Sequence, residues 1–181
     1  MKNVYLLGDS IRMTYQPLVK DSLKGRANVF GPMENGRWAG YTLNSLRFWA
    51  PFFPDADIVH WNSGLWDLGD DYNLGRHFSL PEEYSSTLER TVRVLRQLYG
   101  ENVIIIMATI TPRKDEDLSE LRRYNDILKE VATRFQIEVN DLYAEIIDDI
   151  EGNIGPDNIH PSQKGGELLA KKVVQAIKKR L

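Results

Sequence analysis

The residues best suited to do chemistry lie in two short segments far apart in the chain. In the first, Gly8-Asp9-Ser10 follows a short apolar run and puts a serine hydroxyl where the backbone is about to turn. In the second, Asp157 stands three residues before His160, with Pro161 directly after it. In a turn, that spacing lets the carboxylate accept the Nδ1 proton of the imidazole. The tautomer is then fixed and Nε2 is left as a general base toward a serine hydroxyl. Each segment also has a plain structural reading. Gly-Asp-Ser is ordinary turn chemistry, and an Asp-x-x-His-Pro stretch can steady a turn and cap the start of a helix.

Other chemistries find little support. The sequence contains no G-x-S-x-G elbow and no H-E-x-x-H, and Gly31 and Gly36 have P-loop spacing but are followed by Arg37-Trp38. There are three histidines and no cysteine, which excludes disulfides and thiolate catalysis and leaves His60 and His77 as polar-loop or packing residues. No metal and no cofactor are expected. Asp9 reads as structural, its carboxylate bonding backbone N–H groups of the turn. A net charge of -3 supplies no long-range attraction for nucleic acid or an anionic membrane. The first residues turn polar after a short apolar run, unlike a secretory signal, so a cytoplasmic location is expected.

The elements that must position these groups follow from the apolar pattern. Residues 4–7, 27–30, 57–61, 103–108 and 137–139 read as five buried strands. Helices are predicted at 17–24, stopped by Gly25, at 41–49, from Pro81 to Gly100, at 117–135, and from Pro161 or Ser162 to the terminal basic residues. In the third of these, Tyr84, Leu88, Val92, Leu95 and Leu98 share one face. Residues 68–80 form the longest apparent loop. Strands alternating with helices imply right-handed crossovers and a parallel sheet covered on both faces, hence an α/β fold, a three-layer α/β/α sandwich in a single domain spanning 1–181. In such sheets active sites sit at the carboxyl ends of the strands, where Gly8-Asp9-Ser10 lies.

A serine near the start, Asp-x-x-His-Pro near the end and alternating α/β elements between them resemble the SGNH (GDSL-type) hydrolase family over nearly the whole chain. Gly8-Asp9-Ser10 is similar to its nucleophile block, Gly40-Tyr41-Thr42 to its glycine block, and Asp157 to Pro161 to its terminal acid–base block. Ala108-Thr109-Ile110-Thr111-Pro112 resembles the family's usual ending of the fourth strand. The resemblance implies a flavodoxin-like five-stranded sheet and cofactor-free ester hydrolysis through an acyl-enzyme, with Ser10 as nucleophile, His160 as base and Asp157 as orienter. It also implies oxyanion donors at the backbone N–H groups of Ser10 and Gly40 and at an asparagine side chain after the third strand. At that last place this sequence departs from the family's G-x-N-D. Alignment on Gly64 and Asp67 puts Trp66 at the asparagine position, whereas alignment on the strand end puts Asn62 there; Asn62 is the expected donor, with Trp66 a wall of the pocket. Tyr15, Trp38, Tyr41 and Trp66 could wall an acyl or sugar site or be ordinary packing. The implied partner is a small-molecule ester, an acetylated carbohydrate among the candidates, with short acyl groups preferred. Thioesterase or lysophospholipase chemistry shares the same machinery, and a non-catalytic flavodoxin-like binding module is the alternative of a different class.

Overall fold

The computed structural model describes residues 1–53, 55–70, 75–114 and 117–181. Among them β1 (Lys2–Leu7), β2 (Ala27–Phe30), β3 (Ile58–Asn62), β4 (Ile104–Ala108) and β5 (Glu138–Asn140) form one sheet in the order β2-β1-β3-β4-β5. Every pairing is parallel, and this is the flavodoxin-like order in which β1 and β3 flank the switch point. Both faces of the sheet are covered, which is why the strands read as continuous apolar runs and not as alternating ones. In β1, Tyr5 and Leu7 face one layer, made by α2 (Ala39–Trp49), α3 (Pro81–Tyr99) and α4 (Ser119–Phe135). Val4 and Leu6 face the other, made by α1 (Ser10–Ser22), α5 (Leu142–Ile147) and α7 (Gln163–Lys178), with the short α6 (Ile150–Asn153) beside α7.

Strand bounds lie within a residue or two of those predicted, and four helices match closely. Tyr84, Leu88, Val92 and Leu95 of α3 are buried as the periodicity requires, while Leu98 is exposed and lines a groove against α2. The first helix differs most. It begins at Ser10 and carries Pro17 in its interior. Proline lacks an N–H and leaves the Met13 carbonyl without its usual helical donor. Against that loss, Asp9 caps the helix by accepting the Ile11 N–H at 2.9 Å, and Ile11, Tyr15 and Val19 bury one face at four-residue spacing. The two short helices α5 and α6 lack enough turns to show a period. They start at side-chain caps, with Asp141 accepting from Ala144 N and Asp149 from Gly152 N. Residues 71–74 of the predicted loop lie outside the described residues. No described helix is long and apolar enough to cross a membrane.

Candidate active site

The turn after β1 is built around Gly8. Its φ is +149°, and a Cβ there would fall 2.1 Å from Asn62 Oδ1, so only glycine lets the backbone lie this close to the end of β3. Asp9 follows as the N-cap of α1 and Ser10 is the first helical residue. The turn therefore delivers the hydroxyl at the carboxyl end of β1, and the Ser10 N–H, at the first helical position, has no intrahelical acceptor.

The loop between α6 and α7 brings the second segment to the same place. The Gly155 N–H donates to the His160 carbonyl at 2.7 Å, Ile154 bridges Pro161, and Ser162 caps α7 by accepting from Gly165 N. Asn158 takes φ +67°, which closes the turn between Asp157 and His160. Asp157 Oδ1 accepts the backbone N–H groups of Ile159 at 3.0 Å and His160 at 2.9 Å, leaving Oδ2 to face the imidazole 2.6 Å from Nδ1. These backbone donors and the imidazole lower the Asp157 pKa from 3.8 to about 2. An ionised carboxylate can only accept, so His160 must carry its proton on Nδ1 and offer Nε2 as an acceptor. Nε2 lies 2.8 Å from Ser10 Oγ. The structure thus aligns hydroxyl, imidazole and carboxylate from segments 150 residues apart. The site is open: the side chains of His160 and Asp157 are 43% and 52% exposed.

The other residues singled out in the sequence fall in different places. Trp66 is partly exposed and lines the pocket of Ser10 and His160, together with Asn35, Arg113 and Ile159. Asn62 is buried beneath the turn. Its Nδ2 donates to Asp9 Oδ1 at 2.8 Å, and its Oδ1 accepts from Tyr15 OH at 2.9 Å. Gly40 sits in the first turn of α2, where its N–H has no intrahelical acceptor and its Cα borders the groove between α2 and α3. The preceding N–H, that of Ala39, donates to Asp67 Oδ2 at 3.0 Å, and the Ser79 hydroxyl donates to Asp67 Oδ1 at 2.6 Å. Asp67 thereby ties the loop after β3 to the start of α2. Of the aromatics, Tyr15 is buried in α1, Trp38 packs on Phe78 and Tyr41 lies on α2, so only Trp66 among them borders the pocket. His77 contacts the Leu68 carbonyl and Glu120, while His60 is fully buried in β3.

Sequence inspection overlooked Arg12. It is almost completely buried, and its guanidinium donates to the carbonyls of Pro32 at 2.8 Å and Glu34 at 2.6 Å. It therefore straps the loop between β2 and α2 to the nucleophile helix, and the Gly36 N–H adds a second tie to the Gly8 carbonyl at 2.9 Å. A Cβ on Gly36 would lie 2.5 Å from that carbonyl oxygen, so this crossing also needs glycine. No signal in the local sequence distinguishes a buried arginine on an amphipathic helix from an exposed one, because its partners are backbone carbonyls of another segment.

Comparison with known proteins agrees on architecture. No protein-family model and no curated protein matches the chain. Among solved structures it resembles a carbohydrate esterase family 3 protein from Talaromyces cellulolyticus, with TM-score 0.81, 19% identity, and 99% of this chain and 98% of that chain covered. It also resembles a member of the lipolytic protein G-D-S-L family from Veillonella parvula DSM 2008, with TM-score 0.77, 20% identity, and 99% and 100% covered. An acetylxylan esterase from Geobacillus stearothermophilus gives TM-score 0.75, 17% identity, and 97% and 94% covered. The chain has the fold of the GDSL-type (SGNH) hydrolases.

Proposed function

We propose that the protein is a serine esterase of the SGNH kind, acting on carboxylic esters through an acyl-enzyme on Ser10. The observation that carries this reading is the line from Asp157 Oδ2 through His160 to Ser10 Oγ, with links of 2.6 and 2.8 Å. A hydroxyl is a weak nucleophile until a base takes its proton, and this line supplies the base in the required tautomer. His160 Nε2 accepts the Ser10 proton as Oγ attacks the ester carbonyl carbon. The charge on the former carbonyl oxygen meets the N–H groups of Ser10 and Gly40, each such donor contributing about 3 kcal/mol to the transition state. The C–O bond to the leaving alcohol then breaks, with His160 returning the proton to the departing oxygen. A water deprotonated by His160 releases the acid and restores Ser10.

We assign Trp66 to the pocket wall, where its face would lie against the substrate. Short acyl groups, acetyl above all, suit an open pocket in a sequence without a long apolar insertion to cover an acyl chain. The open site and the exposed Trp66 ring support a carbohydrate leaving group, and the names of two structural neighbours point the same way. The test is hydrolysis of p-nitrophenyl esters from acetyl to dodecanoyl and of acetylated xylo-oligosaccharides, by the wild type beside Ser10→Ala. Turnover of acetyl esters that disappears in Ser10→Ala, with a fluorophosphonate adduct mapped to Ser10, is the expected result. Near wild-type rates in folded Ser10→Ala would remove the mechanism, and rates rising steadily to dodecanoyl would remove the short-acyl assignment.

A further inference from the structure

We infer that a buried, one-directional chain of hydrogen bonds makes His60, Tyr15 and Asn62 positioning residues for the nucleophile turn, an inference that rests on the esterase reading above. The chain starts at Asn140, buried at the end of β5, whose Nδ2 lies 3.0 Å from His60 Nε2. An amide nitrogen only donates, so Nε2 must accept and the ring proton of His60 sits on Nδ1. Burial lowers the His60 pKa to about 3, and the ring is neutral with one proton to give. Nδ1 lies 3.5 Å from the Tyr15 oxygen, and Tyr15 must then pass its own proton onward, to Asn62 Oδ1 at 2.9 Å. Asn62 in turn donates through Nδ2 to Asp9 Oδ1 at 2.8 Å. A flipped Asn62 would set its carbonyl oxygen against the Asp9 carboxylate, so each donor orients the next.

The chain ends on the residue immediately before Ser10. Asp9 is 2% exposed, and burial raises its pKa, so its charged form depends on the donors that reach it. Those are Asn62 Nδ2 and the backbone N–H groups of Ile11 and Arg12, with the Arg12 guanidinium near by and the Asp67 carboxylate opposing. Because the same carboxylate caps α1, a shift of Asp9 moves the Ser10 N–H and Oγ relative to His160 Nε2. Gly8 lies directly on the Asn62 amide, which gives the turn a second contact with the end of the chain. None of His60, Tyr15 or Asn62 borders the pocket, so their influence passes through Asp9.

The experiment combines p-nitrophenyl acetate kinetics of wild type, Tyr15→Phe, Asn140→Ala and the double variant with 15N NMR of the histidine rings. The expected ring proton of His60 is on Nδ1, with no titration down to pH 5. In Tyr15→Phe, kcat should fall roughly 10- to 100-fold with KM within about twofold of wild type, the pattern of a misplaced nucleophile and not of lost binding. Asn140→Ala, at the far end, should lose roughly 3- to 10-fold, and the double variant should be no worse than Tyr15→Phe, because one broken chain cannot be broken twice. Should Tyr15→Phe not fold, Asn140→Ala on edge strand β5 carries the kinetic arm. A proton on Nε2 of His60, wild-type kcat in folded Tyr15→Phe, or equal losses in kcat/KM carried by KM would overturn the inference. Wild-type hydrolysis no faster than that of Ser10→Ala would instead remove the esterase reading and this inference with it.

Discussion

Asp67 offers a quantitative test of how the loop after β3 is held. Its carboxylate is fully buried, with the Ala39 N–H at 3.0 Å and the Ser79 hydroxyl at 2.6 Å as donors. Burial raises its pKa from 3.8 to about 6; the nearby Asp9 charge adds to the rise, while the two donors oppose it. The folded chain therefore holds this proton more tightly than the unfolded chain does. The resulting stability is complete below the unfolded value of 3.8 and is lost as pH rises through about 6. At ~1.36 kcal/mol per tenfold change in affinity, the whole effect is about 3 kcal/mol, of which roughly 2.5 kcal/mol falls between pH 4 and pH 7. In Asp67→Asn the side chain keeps its size and its acceptor but no longer titrates. Urea unfolding of both proteins across that range should show the wild type losing about 2.5 kcal/mol relative to the variant as pH rises. A difference that stays constant within about 0.5 kcal/mol from pH 4 to pH 7 would refute the claim that burial dominates the Asp67 site.

Ser10→Ala and His160→Ala should each lower kcat by several orders of magnitude, and the double variant should be little worse, since nucleophile and base act as one unit; steady-state kinetics on p-nitrophenyl acetate checks this. In Asp157→Asn the two backbone N–H groups keep the amide oxygen turned toward them, so Nδ2 faces the imidazole and forces the proton onto Nε2. A loss of about 10³- to 10⁴-fold in kcat is expected, and retention within tenfold would show that Asp157 does not select the tautomer. Gly8→Ala should destabilise the protein by about 3 kcal/mol in urea unfolding, because the backbone angle disfavours a side chain and the new Cβ meets Asn62 and Arg12. Trp66→Ala should raise KM for acetylated oligosaccharides roughly tenfold with kcat little changed, whereas a large fall in kcat in Trp66→Phe would assign its indole N–H to the oxyanion instead of the wall.

What the sequence determined by itself was whatever depends on neighbouring residues. The apolar run at residues 4–7 closed by Gly8, the stripe from Tyr84 to Leu95 and the alternation of such segments suffice for a covered parallel sheet, because burial on both faces demands that pattern. The approach of Asp157 to His160 was legible for the same reason, since a three-residue turn is local. The meeting of His160 with Ser10 is not local. It requires α7 to pack beside α1 so that the loop before α7 reaches the carboxyl end of β1. Helix α1 hides Pro17 from a rule that expects proline to end helices, because tertiary burial of Ile11, Tyr15 and Val19 outweighs one missing bond. The residue pattern favoured Asn62 as the third oxyanion donor, whereas the tertiary structure places Trp66, and not Asn62, on the pocket of Ser10 and His160. Asn62 turns inward because a donor, Tyr15 OH, and an acceptor, Asp9, await its amide behind the turn, leaving Trp66 to face Ser10. The burial of Arg12 and His60 was likewise decided there. Burial of these two polar groups is tolerated because other segments supply partners: the carbonyls of Pro32 and Glu34 for Arg12, the Asn140 amide for His60.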